Sequence, residues 1–186
     1  MTYQAQTLAW TQSEGADVYA DSADLLVVPP VADLAPGATQ IFRVTPRRPL
    51  PLREAAYRLI FEDVTEITAP PVEGATLRLQ IRHSLPVFVG PVSRDPGKAR
   101  VAACTEPAPV NCVRVHNDGK RRLRMTRLAG QAPDWHQEIR ASATVLAGAW
   151  RQWAFQPPPD LAGKSIKVTA GTTAGDVSME LPIVAH

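Results

Sequence analysis

Hydrophobic and polar residues alternate along several short stretches of this chain, with the period of a β-strand that has one buried face. The alternation is clearest over residues 3–10 (YQAQTLAW) and 39–46 (TQIFRVTP). Residues 55–64 (AAYRLIFEDV) are typical of a long central strand, and an apolar run over 24–30 (DLLVVPP) ends at two prolines. In the second half, the pattern predicts further strands within the ranges 98–104, 111–128, 143–155, 164–171 and 177–184.

Proline and turn-forming residues separate these stretches. The chain contains 18 prolines spread along its length, and proline interrupts helices. The best helical prediction, residues 134–141 (DWHQEIRA), is short, and residues 117–119 (NDG) predict a tight hairpin turn between the strands on either side. Short strands separated by such turns predict an all-β protein built from β-sandwiches.

A stretch rich in proline, glycine and charge, residues 90–98 (GPVSRDPGK), is a natural linker between two domains. The sequence therefore predicts an N-terminal domain over residues 1–91 and a C-terminal domain over residues 92–186. The first domain has only about five predicted strands, whereas an immunoglobulin-like sandwich has about seven or more. We expect the first domain to be incomplete at its N-terminus, with further strands before Met1.

Composition and charge exclude several classes of partner. Of the 186 residues, 45% are hydrophobic and 20% are charged, which is enough for a buried core. The net charge of +2 is too balanced to indicate nucleic acid binding, and the basic run over residues 120–127 has no interleaved aromatic residues. No apolar run is long enough for a transmembrane helix, so no membrane insertion is expected. The opening MTYQAQTLAW does not have the pattern of a secretory signal peptide.

The residues that usually carry chemistry form no recognisable site. The four histidines are scattered without metal-ligand spacing, and no nucleophile or phosphate-binding motif occurs, so neither a metal nor an enzymatic activity is expected. Two cysteines, Cys104 and Cys112, have seven residues between them. They are either free buried thiols or a short-range disulfide, which would require an oxidising compartment.

The stretch 75–91 (ATLRLQIRHSLPVFVGP) is the most unusual strand of the sequence. Leu77, Leu79 and Ile81 alternate with polar residues, and the strand runs up to the predicted linker. Its apolar face either packs into its own domain or is left available to another protein. The pattern of the residues alone does not decide between these two interpretations.

Several stretches, taken in order, resemble the periplasmic chaperones of the chaperone–usher pathway, the PapD-like group. The most specific are residues 29–44 (PPVADLAPGATQIFRV) and 77–91 (LRLQIRHSLPVFVGP). The opening of residues 8–19 (LAWTQSEGADVY) and the ending RHSLPVFV resemble the archaic branch, which serves spore-coat-protein-U-type and Csu-type pili. The resemblance covers nearly the whole chain.

The resemblance implies two immunoglobulin-like domains in an L or boomerang arrangement, with the first two strands and a signal peptide expected before Met1. It implies a periplasmic chaperone that caps pilin subunits and delivers them to an outer-membrane usher, without a cofactor. Each subunit is an incomplete sandwich, and the last strand of the chaperone's first domain completes it by donor-strand complementation. Leu77, Leu79 and Ile81 fall on that donor strand.

Other site residues follow from the same resemblance. Arg82 is the best candidate for an anchor that binds the subunit's C-terminal carboxylate, since arginine can bind a carboxylate with two parallel hydrogen bonds. Arg43 and Asp63 match the positions of an interdomain salt bridge, with Glu62 as an alternative to Asp63. Asp176 is the best partner that the second domain offers.

A different class of protein fits the same strand pattern. A structural or adhesive two-domain surface protein would keep both sandwiches packed on themselves and would donate no strand. The two hypotheses differ in whether the apolar side chains of the 75–91 strand are exposed.

Overall fold

The computed structural model describes residues 1–49, 51–65, 80–91, 97–105 and 109–184. Its elements are strands and one short 3₁₀ turn at Pro159–Leu161, with no α-helix among the described residues. The first seven strands are β1 (Thr2–Ser13), β2 (Ala16–Asp21), β3 (Leu25–Val28), β4 (Val31–Asp33), β5 (Arg43–Pro46), β6 (Ala55–Asp63) and β7 (Arg82–Val89). The other eight are β8 (Ala99–Ala103), β9 (Cys112–Asn117), β10 (Leu123–Ala132), β11 (Trp135–Ile139), β12 (Ala143–Val145), β13 (Trp150–Ala154), β14 (Ser165–Thr172) and β15 (Gly175–Pro182). The predicted all-β class is confirmed.

The chain forms two compact units. Unit 1 comprises Met1–Trp10, Tyr19–Leu50 and Ala56–Val89, and unit 2 comprises Thr11–Val18, Pro51–Ala55 and Gly90–His186. The last change of unit falls between Val89 and Gly90, and the predicted division at residue 91 stays a prediction. Unit 2 also takes in two short earlier segments. Gln12 shows why, because its side chain hydrogen-bonds the carbonyl of Thr144 and the amide of Leu146, both at 2.9 Å.

Unit 1 contains a five-stranded sheet and a two-stranded sheet. The larger sheet has the order β2-β1-β6-β7, with β4 also paired to β1, and the smaller one pairs β3 with β5. Side chains at alternate positions of β6, among them Tyr57, Leu59 and Phe61, face the smaller sheet. Phe61 contacts the ring of Phe42 at 4.7 Å between centroids, and the Tyr57 hydroxyl donates to Asp24 at 3.4 Å.

Unit 2 contains a five-stranded sheet of order β11-β10-β14-β15, with β12 also paired to β10, and a three-stranded sheet β13-β9-β8. Alternate side chains of both sheets meet in one hydrophobic core. Its fully buried members include Val113 and Val115 from β9, Leu123 and Met125 from β10, and Ile166 from β14.

The helix predicted over residues 134–141 is wrong. Residues 135–139 form strand β11, which pairs along its whole length with β10. Trp135 packs its ring against Phe155 at 6.3 Å between centroids. Strand β10 supplies hydrogen-bond partners for the backbone of this segment, and Trp135 packs against the hydrophobic core. These tertiary contacts override the local helical pattern.

The hairpin predicted around residues 117–119 is also wrong. Strands β9 and β10 do follow each other, with residues 118–122 between them, but they belong to different sheets. Asn117 is completely buried, and its side chain donates to the carbonyls of Arg121 and Val145 and accepts from the amides of Lys98 and Gly119. The asparagine therefore organises a crossing between the two sheets instead of a tight hairpin.

Candidate functional site

Strand β7 is the last strand of the larger sheet in unit 1, and among the described residues it has a strand neighbour, β6, on one side only. The Asp63 amide donates to the Ile81 carbonyl at 3.3 Å, which fixes the antiparallel register between β6 and the start of this segment. Counting along both strands from that pair places Phe88 opposite Ala56. Trp10 is also paired with Ala56, and the rings of Trp10 and Phe88 lie 5.8 Å apart, which agrees with this register.

This register decides which way the side chains of β7 point. Ile81, His83, Leu85 and Val87 share the face of Leu59 and Tyr57, which is turned toward the smaller sheet. Nevertheless, Ile81 is 50% exposed and Leu85 is 49% exposed. Among the described residues, the smaller sheet has two strands, and these leave the two side chains half exposed. The apolar face of β7 is therefore partly open.

The predicted donor-strand residues are only partly within the described chain. Leu77 and Leu79 lie outside the described residues. Ile81 lies immediately before β7, with its carbonyl bonded to Asp63 and half of its side chain exposed. The interpretation in which the whole apolar face packs into its own domain does not fit Ile81 and Leu85.

The anchor candidate Arg82 begins β7 and is exposed. It makes no ion pair with any described residue. By the register given above, it shares a sheet face with Glu62 and Ser84. Its side chain is therefore exposed on the sheet face opposite Ile81 and Leu85. Its role as an anchor stays a prediction.

The structure places the residues predicted for an interdomain salt bridge in three different surroundings. Asp63 is buried and accepts hydrogen bonds from the hydroxyl and the amide of Thr65, which hold the pKa of its carboxyl below the ordinary value. Asp176 pairs with Arg127 at 2.8 Å. Arg43 is exposed in β5, opposite Val28. The salt bridge itself stays a prediction.

The two cysteines are bonded to each other in the structure, with 5.3 Å between their Cα atoms. Cys104 follows β8 and Cys112 begins β9, and the Cys104 amide donates to the Cys112 carbonyl at 3.0 Å. The disulfide therefore extends the pairing of β8 with β9 and closes the short loop between them.

No group of three or more potential metal ligands occurs among the described residues. In the same part of the chain, no helix is long and apolar enough to cross a membrane.

Comparison with known proteins agrees with this architecture. The family model of the pili and flagellar-assembly chaperones, PapD N-terminal domain, matches residues 1–94, which is half of the 186-residue chain. The chain belongs to this chaperone family. The predicted resemblance to the PapD-like group is confirmed. Among curated proteins, none matches the sequence.

Solved structures of pilus chaperones share the fold of this chain. The class 5 fimbriae chaperone CfaA has a TM-score of 0.67 and 15% identity, over 98% of this chain and 86% of that one. The complex of CsuC with CsuE from the archaic Csu pili of Acinetobacter baumannii has a TM-score of 0.60 and 18% identity, over 97% of this chain and 84% of that one. The E. coli chaperone DraB has a TM-score of 0.56 and 16% identity, over 98% of this chain and 84% of that one. At these identities, the likeness establishes the fold.

Sequence reasoning missed one part of the chaperone's open strand. It selected Leu77, Leu79 and Ile81, whereas the open apolar face also includes Leu85. The alternation does continue through residues 81, 83 and 85, but His83 interrupts the apolar series. A count of period-2 positions that tolerated one polar residue would have included Leu85.

Proposed function

We propose that this chaperone caps pilin subunits in the periplasm by donor-strand complementation and delivers them to an outer-membrane usher. The strand that it lends is the segment ending in β7. The observation that carries the proposal is a sheet-edge strand whose inward-facing residues Ile81 and Leu85 remain half exposed.

The physical basis is the pairing of two incomplete structures. An open sheet edge offers backbone donors and acceptors that an added strand can satisfy, and alternate side chains can then enter apolar pockets of the partner. Full burial of an isoleucine or leucine is worth about 1.5–3 kcal/mol, so covering the exposed halves of Ile81 and Leu85 contributes roughly half of that for each. By the sequence pattern, Leu77 and Leu79 extend the same apolar series.

The comparisons support this assignment at the level of the family. Two of the similar structures are complexes of a chaperone with a tip adhesin subunit, one from CFA/I fimbriae and one from Csu pili. The alternative of a self-contained surface protein requires the inward face of β7 to be covered, and the exposure of Leu85 argues against it.

Two further roles belong to the same proposal. Arg82 would bind the C-terminal carboxylate of the subunit, because it is exposed and has no ion-pair partner among the described residues. Arg43, Asp63 or Glu62, and Asp176 would fix the angle between the two domains. Comparison of the native chain with Arg43→Ala by small-angle scattering would test the latter role, since loss of the salt bridge should broaden the size distribution.

Co-expression with candidate pilin subunits tests the function. The native chain should protect a subunit from proteolysis, and Leu85→Asp or Ile81→Asp should lower the yield of the complex at least about tenfold, because a carboxylate would be buried in an apolar pocket. Leu26→Asp is a matched control, since Leu26 is 40% exposed on β3, a strand of the smaller sheet. Arg82→Ala should weaken capture of a subunit with a free C-terminus more than capture of one extended by added residues.

Normal capture by both Leu85→Asp and Ile81→Asp would contradict strand donation. Equal losses with Leu26→Asp would indicate a general effect of added charge on unit 1 and would also count against the proposal.

A further inference from the structure

The backbone of β7 does not present the same groups on its two sides. Ile81 bonds to Asp63 of β6, and in an antiparallel ladder the N–H and C=O of every second residue point to the same neighbour. His83 and Leu85 therefore direct their backbone groups toward β6, while Arg82, Ser84 and Pro86 direct theirs away from it. The contact of Phe88 with Trp10, which is paired with Ala56, agrees with the same register near the end of the strand.

Pro86 is thus located on the outer edge of the strand, where its missing N–H costs no bond to β6. Proline is tolerated at such a position, because only the ladder on the open side loses a donor. The same residue marks a change in exposure, since residues 82–86 are exposed and residues 87–89 are half-buried. Two independent features therefore divide β7 at Pro86.

We infer that Pro86 sets the C-terminal limit of the strand pairing between β7 and a pilin subunit. This inference rests on the proposed function. The paired segment carries its outward backbone groups at Arg82 and Ser84, and the ladder stops before residue 86. A subunit strand that slipped by two residues toward the linker would lose a hydrogen bond at Pro86, so the proline also selects the register of the complex.

Three variants test this assignment. Pro86→Ala restores a donor on the outer edge and should slow release of the subunit about two- to tenfold, which is the effect of one additional hydrogen bond. Ser84→Pro removes an outward donor and should weaken capture by a similar factor, while the melting temperature of the free chain stays within a few degrees of native. Ser84→Ala is the control, since it changes the same side chain and keeps the N–H.

Leu85→Pro is the opposite control, because the Leu85 N–H points toward β6. This variant should disrupt unit 1, whereas Ser84→Pro should not. Amide hydrogen exchange on the free native chain gives a second measurement: Arg82 and Ser84 should exchange faster than His83 and Leu85. In the complex with a captured pilin subunit, Arg82 and Ser84 should become protected, and in Pro86→Ala residue 86 should become protected as well.

Unchanged release from Pro86→Ala, unfolding of unit 1 by Ser84→Pro, or slow exchange of Ser84 in the free chain would each overturn the inference. Failure of the proposed function has a different signature, since the native chain would then capture none of the candidate pilin subunits. The exchange pattern of the free chain and the pair Ser84→Pro and Leu85→Pro would still decide whether β7 is divided at Pro86.

Discussion

The two units use the same kind of sandwich and differ in how completely they cover their hydrophobic residues. In unit 2, a three-stranded sheet faces a five-stranded one, and Leu123, Met125 and Leu128 are fully buried. In unit 1, a two-stranded sheet faces a five-stranded one, and the most buried hydrophobic residue described, Ile60, is 3% exposed. In the part of unit 1 that the structure describes, Ile81 and Leu85 on the inner face of the larger sheet stay half exposed.

The exposed large hydrophobic residues follow this difference. Among the described residues, those in unit 1 are Met1, Tyr19, Leu26, Val28, Val31, Ile41, Val64, Ile81 and Leu85, and those in unit 2 are Val18, Leu52, Val110 and Val184. Single exposed hydrophobic residues are ordinary in stable proteins, whereas neighbouring ones on one surface mark sites of interaction. Ile81 and Leu85 are such neighbours, since they lie on one face of the same strand segment. The comparison indicates that unit 2 is stabilised by its own core, whereas unit 1 keeps apolar surface that a partner can cover.

The largest effect that separates the units should come from shortening one leucine in each. Leu123→Ala removes a fully buried side chain from unit 2 and should lower its free energy of unfolding by about 2–5 kcal/mol. Leu85→Ala removes a side chain that is 49% exposed and should cost unit 1 about 1 kcal/mol or less. Native-state hydrogen exchange, followed by mass spectrometry of peptides from each unit, would measure both.

Similar losses from the two substitutions would contradict the comparison, because they would mean that Leu85 is as well packed in the free chain as Leu123. Met125→Leu conserves the volume of a second buried side chain in the same core. It should therefore cost less than Leu123→Ala.

Reduction of the disulfide should also distinguish the two units, with a smaller effect on the free energy of unfolding. Cross-linking Cys104 to Cys112 closes a short loop, and its reduction should lower the free energy of unfolding of unit 2 by about 2–3 kcal/mol in the chain-entropy treatment. Unit 1 should not change. Chemical denaturation with and without a thiol reductant measures this loss.

A double Cys104→Ala and Cys112→Ala variant is the control, since the reductant should have no effect on it. Reaction of both thiols with an alkylating reagent in the unreduced, denatured chain would show that the bond is absent. That result would also remove one argument for an oxidising compartment.

Much of this architecture could be predicted from the sequence. Period-2 alternation located β1, because a half-buried strand shows its two faces directly in its residues. The apolar stretch over residues 55–64 located the central strand β6. The family resemblance was carried by residues 29–44 and 77–91, and the family model confirms it.

The errors concern information that a local pattern does not contain. Trp135 and Ile139 are four residues apart, which suits one face of a helix as well as the ladder with β10 that the structure shows. Residues 118–122 connect β9 to β10, but turn-forming residues do not determine that the two strands enter different sheets. Likewise, the sequence contains Pro86 but not the bond from Asp63 to Ile81 that places its backbone on the open edge.

The smallest expected effect is a pH dependence that distinguishes the units. His116 is half-buried in β9, opposite Arg100 on one side and Trp150 on the other. Burial holds the pKa of His116 below its ordinary value of 6.5, and the positive charges of Arg100 and Arg114 act in the same direction. The negative charge of Asp118 opposes this shift without cancelling it. As the pH falls below about 6.5, the unfolded chain takes up this proton before the folded one, so unit 2 should lose stability until the folded pKa is passed.

In unit 1, the lowered pKa of Asp63 stabilises the fold only above the ordinary aspartate range, and this contribution is lost below about pH 4. Asp118 in unit 2, lowered chiefly by its hydrogen bond from Arg100, acts in that same acidic range. Between pH 6.5 and 5, the difference between the units therefore depends on His116. Hydrogen exchange at several pH values, corrected for the intrinsic rate, should show a loss in peptides of unit 2 that His116→Gln abolishes. An equal loss in the variant would assign the pH dependence to another group and remove this distinction between the units.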